Sequence, residues 1–245
     1  MEFDVGIFVD QLQNFDYARG ALLSLGVAAL SLVLAVAIGF PVALGKTSSR
    51  PVGRALGSVY IWFFRAIPAL LVLLIIWNSL PQMFEVFRES WFSPFIAAVI
   101  GLGLVEAAFM AEIIRAALLS VDEGQYLAAR ALGMTPWTVM RKVVLPQVIR
   151  IALPPTGNEF IGLVKYSSLA SVISLRELLT TAQVGVNTTF RYGEYYAVAI
   201  VYYLVIVSVL TVLQGMVERR FTWTSRGKRS NEIEVPTRVT EGALA

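Results

Sequence analysis

The sequence predicts an all-α integral membrane protein of about five transmembrane helices. Composition points there first: of 245 residues, 57% are hydrophobic and only 15% are charged, with a mean hydropathy of +0.69. A water-soluble domain carries roughly 45–50% apolar and about 25% charged residues. Several apolar runs approach the roughly 20 residues that a helix needs to cross a bilayer. A helical bundle in lipid requires no second core, so a single membrane domain is expected.

The spans are drawn at about 20–44, 57–80, 93–111, 156–175 and 195–217. The first is uninterrupted and rich in small residues (Gly20, Ser24, Gly26, Ala28, Ala29, Gly39) suited to close helix packing. The second contains Arg65 and Pro68, and the third contains Glu106, with Glu112 and Arg115 at its end. The fourth is the least apolar and holds Asn158, Glu159, Lys165, Ser167 and Ser168. The fifth is apolar, with Tyr196, Tyr202 and Tyr203.

Basic residues orient the chain, because loops facing the cytoplasm are enriched in Lys and Arg. With the N-terminus outside, the outer segments hold only Arg19, Arg88, Arg176 and Arg191. The inner segments 46–56, 115–150 and 218–245 hold three, five and six basic residues, and Arg65 and Lys165 complete the 20. The expected layout is an extracytoplasmic segment 1–19, a membrane domain 20–221 and a polar cytoplasmic tail 222–245. The first 16 residues contain acids and no base, unlike a signal peptide, so the first apolar run is expected to stay in the mature protein. The tail reads as disordered, with a basic start that suits lipid headgroups.

The chain has no cysteine and no histidine, which removes disulfides, thiolate and imidazole chemistry and the commonest zinc ligands. No catalytic residue, metal site, cofactor or nucleic-acid partner is expected. Gly39–Thr47 imitates a phosphate-binding loop, but that pattern requires glycine at position 40, which is Phe.

The longest water-compatible stretch is the loop 120–146. Ser120 followed by Glu123 fits a capping box. A helix is expected from there to Leu132, stopping at Gly133, which tolerates a left-handed conformation. Thr135 and Pro136 then fit the cap and first position of a second short helix carrying Trp137, Val139, Met140 and Val143. This is either a structured cytoplasmic knob or an amphipathic hairpin lying on the bilayer.

The spacing of this loop resembles the coupling signature of ABC importer permeases: Glu-Ala-Ala, three residues, Gly, nine residues, Ile, one residue, Leu-Pro. Here it runs Leu127-Ala128-Ala129, Gly133, Val143 and Leu145-Pro146, in unbroken register. Gly124-Gln125, Ala111 to Arg115, Pro146-Gln147, Asn158 to Ile161 and Lys165 to Leu169 narrow the resemblance to the polar-amino-acid subfamily. The resemblance implies a type I importer permease fold and an ATPase-docking role for Glu123, Gly124, Gln125, Leu127, Ala128, Ala129 and Gly133. It also implies a second permease (identical or paralogous), two ATPase subunits, an extracytoplasmic solute-binding protein and an amino-acid substrate. Two positions depart from the pattern. Leu127 replaces the motif's acid and offers only apolar contact, so Glu123, one turn earlier, or the partner permease is expected to supply the charge. Arg65-Ala66-Ile67-Pro68 lacks the subfamily's Gly-Thr.

Charged residues within spans cost about 2.5–3.5 kcal/mol at the bilayer centre and therefore face partners or cavities. Glu106, Asn158, Glu159, Lys165, Ser167, Ser168 and Arg65 are the candidates to line a substrate pathway. Glu106 fits a pathway position or an ion pair with Lys165 or Arg65, and Glu112 fits a pair with Arg115 one turn away. The alternative function is an ion-driven secondary transporter or channel working through Glu106, Glu159 and Lys165 without an ATPase.

Overall fold

In the computed structural model, which describes residues 3–221, the chain is helical throughout and forms no strand among those residues. A short helix α1 (Val5–Leu12), capped by the Asp4 carboxylate, leads into the 33-residue helix α2 (Phe15–Thr47). α3 (Pro51–Ala66) follows after a tight turn, and α4 (Ala69–Met83) contains one π turn over Ile75–Ser79. α5 (Pro94–Leu119) crosses the centre of the molecule, then α6 (Glu123–Ala131) and α7 (Pro136–Val139) form the polar loop. A π turn over Met140–Val144 carries α7 directly into α8 (Leu145–Tyr166), which tightens into a 3₁₀ stretch over Ser167–Ile173. α9 (Leu178–Thr189) and α10 (Tyr192–Phe221) complete the fold.

Three of these helices are long and apolar enough to cross a membrane: α2, α5 and α10 over Tyr192–Arg220. The pair α3–α4 passes the same test jointly but is bent by 98°. The expected continuous span over 57–80 is thus broken, at Ile67-Pro68. Ile67 is extended (φ −93°, ψ 137°), because a proline ring disfavours the helical conformation of the residue before it. α8 is not among the apolar helices, so three or four helices meet the criterion where five spans were expected. The tail 222–245 lies outside the described residues.

α2 and α5 form the spine. Gly39 approaches Ala107 and Ala111 so closely that a Cβ there would lie 3.0 Å from their backbone. Val27, Ala28, Ala97, Ala98 and Leu102 bury one core with Leu73 of α4 and Leu163 of α8. A second core beneath it joins Ala35, Ala43, Ile61, Met110 and Ile114. At the opposite end, Tyr17 is 1% exposed and stacks on Tyr202 at 5.7 Å between ring centres. There the Glu194 carboxylate accepts from the Asp4 N–H at 2.9 Å, tying α1 to the start of α10.

Two adjacent prolines, Pro154 and Pro155, would ordinarily interrupt a helix. α8 instead runs through both. Prolines withdraw the donors that carbonyls four residues earlier would use, and neighbouring polar side chains bond the surrounding backbone. Thr156 Oγ1 donates to the Ala152 carbonyl at 2.8 Å, and Gln214 Nε2 of α10 donates to the Pro154 carbonyl at 3.2 Å.

Candidate functional site: the loop knob and the Glu106 cavity

The loop is a folded knob with its own core. α6 starts at Asp122, whose carboxylate accepts from the Gly124 N–H at 2.7 Å. Ser120 does not open a capping box: it ends α5, and its hydroxyl donates to the Ala117 carbonyl. Gly133 takes φ +78° after the last turn, as the sequence predicts. Thr135 caps α7, accepting from the Thr138 N–H at 3.3 Å, with Pro136 at its first position.

Ala129 and Val139 pack with Val144, Val148 and Ala152 of the following helix and with Ala117 of α5. Gln147 Nε2 bridges to Gln125 Oε1 at 2.6 Å, and an Arg130 guanidinium nitrogen donates to the Met134 carbonyl at 2.8 Å. Both bonds join parts of the knob that core packing alone would leave free to slide. Of the seven candidate coupling residues, Ala129 faces this core, while Glu123, Gly124, Gln125, Leu127, Ala128 and Gly133 are exposed. The exposed surface is unusually apolar: Leu127 is 59%, Trp137 72% and Leu132 83% accessible.

The intramembrane candidates divide into three environments. Glu106 is 3% exposed and faces the Glu159 carboxyl across α5 and α8; its Oε1 accepts no hydrogen bond. It lines a cavity of about 340 Å³ with Arg65, Pro68, Phe109 and Tyr166. Neither Arg65 nor Lys165 forms an ion pair with Glu106. The Arg65 guanidinium instead lies over the Phe109 ring, 5.3 Å from its centre. Asn158 and Lys165 are exposed on α8, and Asn158 Oδ1 accepts from Gln214 Nε2 at 2.9 Å. Ser167 is fully buried and Ser168 half-buried; each hydroxyl donates to the carbonyl three residues back. Glu112 pairs with Arg115 as expected, and also with Lys46 of α2.

One charged site escaped the sequence reading. Glu177 is fully buried at the start of α9. Its carboxylate accepts from the N–H groups of Leu179 and Thr180, both at 2.8 Å, from the Tyr203 hydroxyl at 3.2 Å and from Ser24 Oγ at 3.4 Å. Burial pushes its pKa above the usual carboxylate value, against the pull of these donors. The local signal was only a lone acid before an apolar run.

Fold and site together define a polytopic α-helical membrane component with a folded knob beside its spans. The chain belongs to the family of binding-protein-dependent transport system inner membrane components, whose model matches residues 35–223. It is 40% identical over 198 residues to the probable amino-acid permease protein YxeN of Bacillus subtilis (strain 168), covering 80% of this chain and 87% of that protein. It is 38% identical over 214 residues to the arginine transport system permease protein ArgU of Corynebacterium glutamicum, covering 83% and 67%. The crystal structure of an amino acid ABC transporter superposes with a TM-score of 0.78 at 36% identity, covering 90% of this chain and all of the other. The fold is that of a type I ABC importer permease, and the protein is a multi-pass inner-membrane permease subunit of an ATP-driven importer.

Proposed function

We propose that this permease imports polar or cationic amino acids, delivered by an extracytoplasmic solute-binding protein, and that it works as one of two permease subunits, identical or paralogous, driven by two separate ATPase subunits. The observation that carries this reading is the pairing of a rigid knob, apolar on its exposed face, with a membrane-embedded cavity lined by Glu106 and Arg65. In this reading the N-terminus lies outside and the knob in the cytoplasm, as the distribution of basic residues supports. ATP-driven closure of the ATPase pair displaces the knob, and the helices rock between inward-open and outward-open arrangements. Solute passes along the polar side of α5 and α8. Arg65, Asn158, Lys165, Ser168 and the two facing acids Glu106 and Glu159 supply complementary groups for the carboxylate and ammonium of an amino acid, and the acids favour a cationic side chain. Ser167 contributes from within the helix packing beside them. An ion-driven mode through the same acids is not favoured, because the chain belongs to the binding-protein-dependent transport family and superposes on an amino acid ABC transporter.

The test is amino-acid uptake by the complex reconstituted in vesicles. Uptake is expected to require the ATPase subunits, the binding protein and ATP. Uptake by the permease alone, responding to a proton or sodium gradient, would refute the proposal. Within the knob, Glu123 supplies the acidic contact missing at Leu127. Glu123→Ala is expected to weaken ATPase docking by up to about fivefold, the range of an exposed ion pair. Unchanged docking would remove Glu123 from that role, and Leu127→Glu shows whether an acid at the motif position strengthens it.

A further inference from the structure

We propose that Glu112 is a positioning residue for energy coupling: it fastens the end of α2 to α5 about two turns before α5 ends at the knob, so that movement of the knob reaches both helices. The inference rests on the reading that the knob receives the ATPase.

The sequence explains half of what Glu112 does. Arg115 lies one turn away, and its guanidinium contacts Glu112 Oε2 at 2.9 Å. That pair alone would satisfy a helix end near the membrane boundary. The structure adds Lys46, from the last turn of α2, whose ammonium bonds Glu112 Oε1. Each carboxylate oxygen therefore holds a cation on a different helix. The three side chains are only 23–32% exposed, so water screens these pairs less than it does surface ones.

The position on α5 gives this clamp its significance. Ile113 and Leu118 pack both on the lower core shared with α2 and α3 and on the core of the knob. Between them Ala117, 1% exposed, belongs to the knob core itself. The turn following Glu112 is thus part of the knob's foundation. Six residues towards the other end of the same helix, Glu106 faces the Glu159 carboxyl and lines the cavity it shares with Arg65. A displacement of the knob acts on α5 at one end of this stretch and reaches the cavity at the other. α2 is joined to this foundation through the packing of Val42 and Ala43 on α5, while a cavity of about 560 Å³ separates its end at Leu44 and Thr47 from the knob residues Asp122, Tyr126 and Met140. Beside that gap, the Lys46–Glu112 pair is the charged link between α2 and α5.

The experiment uses the full complex in lipid nanodiscs, with ATPase subunits and solute-loaded binding protein. Four quantities are read: assembled fraction, thermal midpoint, the ratio of stimulated to basal ATP hydrolysis, and solute moved per ATP in vesicles. Glu112→Ala and Lys46→Met are expected to leave assembly intact and to lower the stimulation ratio and the transport yield by about tenfold, within the 5–150-fold span typical of inter-site coupling. The exchanged pair Lys46→Glu with Glu112→Lys restores an α2–α5 contact and is expected to recover most of the loss. An unchanged ratio and yield in Glu112→Ala would overturn the inference. So would a loss that follows the assembled fraction or the thermal midpoint, without recovery in the exchanged pair. A wild-type permease that retains no ATPase would overturn the reading of the knob, and this inference with it.

Discussion

Trp137 offers the sharpest test of the knob as a docking surface. It stands at the second position of α7 and is 72% exposed, so removing it leaves the folded core of Ala129, Val139 and Val144 untouched. An aromatic side chain buries about 150–250 Å² when fully covered. The exposed share is then about 110–180 Å², and at about 25 cal/mol per Å² its complete burial is worth roughly 3–4.5 kcal/mol. Interfaces seldom cover a side chain fully, and truncating a central aromatic typically costs 2 kcal/mol or more. Trp137→Ala is therefore expected to weaken binding of the ATPase subunit by about 2–3 kcal/mol, roughly 30- to 150-fold in Kd. The assay is a titration of the nanodisc-embedded permease with purified ATPase subunit, read by surface binding, beside a thermal melt of the permease alone. A Kd within threefold of wild type would refute the docking surface. A fall of several degrees in the melt would show that Trp137 supports the fold instead.

Gly133→Ala forces a side chain into φ +78°, where L-residues lose about 1–2 kcal/mol, and its melt is expected to fall accordingly while purified yield holds. Gly185→Ala would place a Cβ 2.0 Å from the Tyr195 ring, so either the ring shifts or α9 and α10 separate. The expected cost is about 1–3 kcal/mol, read as a lower thermal midpoint, and a midpoint equal to wild type would show that the ring moves freely. Glu177 makes stability pH-dependent. Burial raises its pKa in the folded chain, so the folded state holds the proton more tightly. That contribution is complete below the ordinary carboxylate pKa and is lost as pH rises through the raised one. Melts of wild type and Glu177→Gln are expected to diverge from acid to neutral pH, with the wild type losing ground. Parallel curves would count against it.

The knob was legible in the sequence because its signals are local. Gly133, Thr135 and Pro136 each act on their own backbone, and all three do in the structure what their chemistry predicts. The misplaced cap shows the limit of that logic. Ser120 and Asp122 are two residues apart and both are cap formers, and only the end of α5 at Leu119 decides which of them starts α6. The break at Pro68 was encoded by the proline, but apolar residues on both sides hid it from a hydropathy reading. Glu177 and the second partner of Glu112 were unreadable for another reason. Ser24 and Lys46 stand 153 and 66 residues from these two acids, and no local pattern announces a contact made by topology.

The faces left uncovered by this single chain differ in kind. α2 turns Leu22, Leu30 and Val33 outward, and α10 turns Leu204, Val205 and Val212, all of which suit hydrocarbon. α3 and α8 also leave Arg65, Asn158 and Lys165 exposed. Against lipid, each of the two charges would cost about 2.5–3.5 kcal/mol at mid-depth. Helix capping cannot remove that cost, because both side chains project from helix surfaces, and Arg65 recovers only the contact with Phe109. A face carrying such residues is stable against a second protein surface or a water-filled passage, and the proposed pair of permeases supplies both. In the proposed function, the same residues that make the lone chain unsuited to lipid are the ones that meet a polar solute.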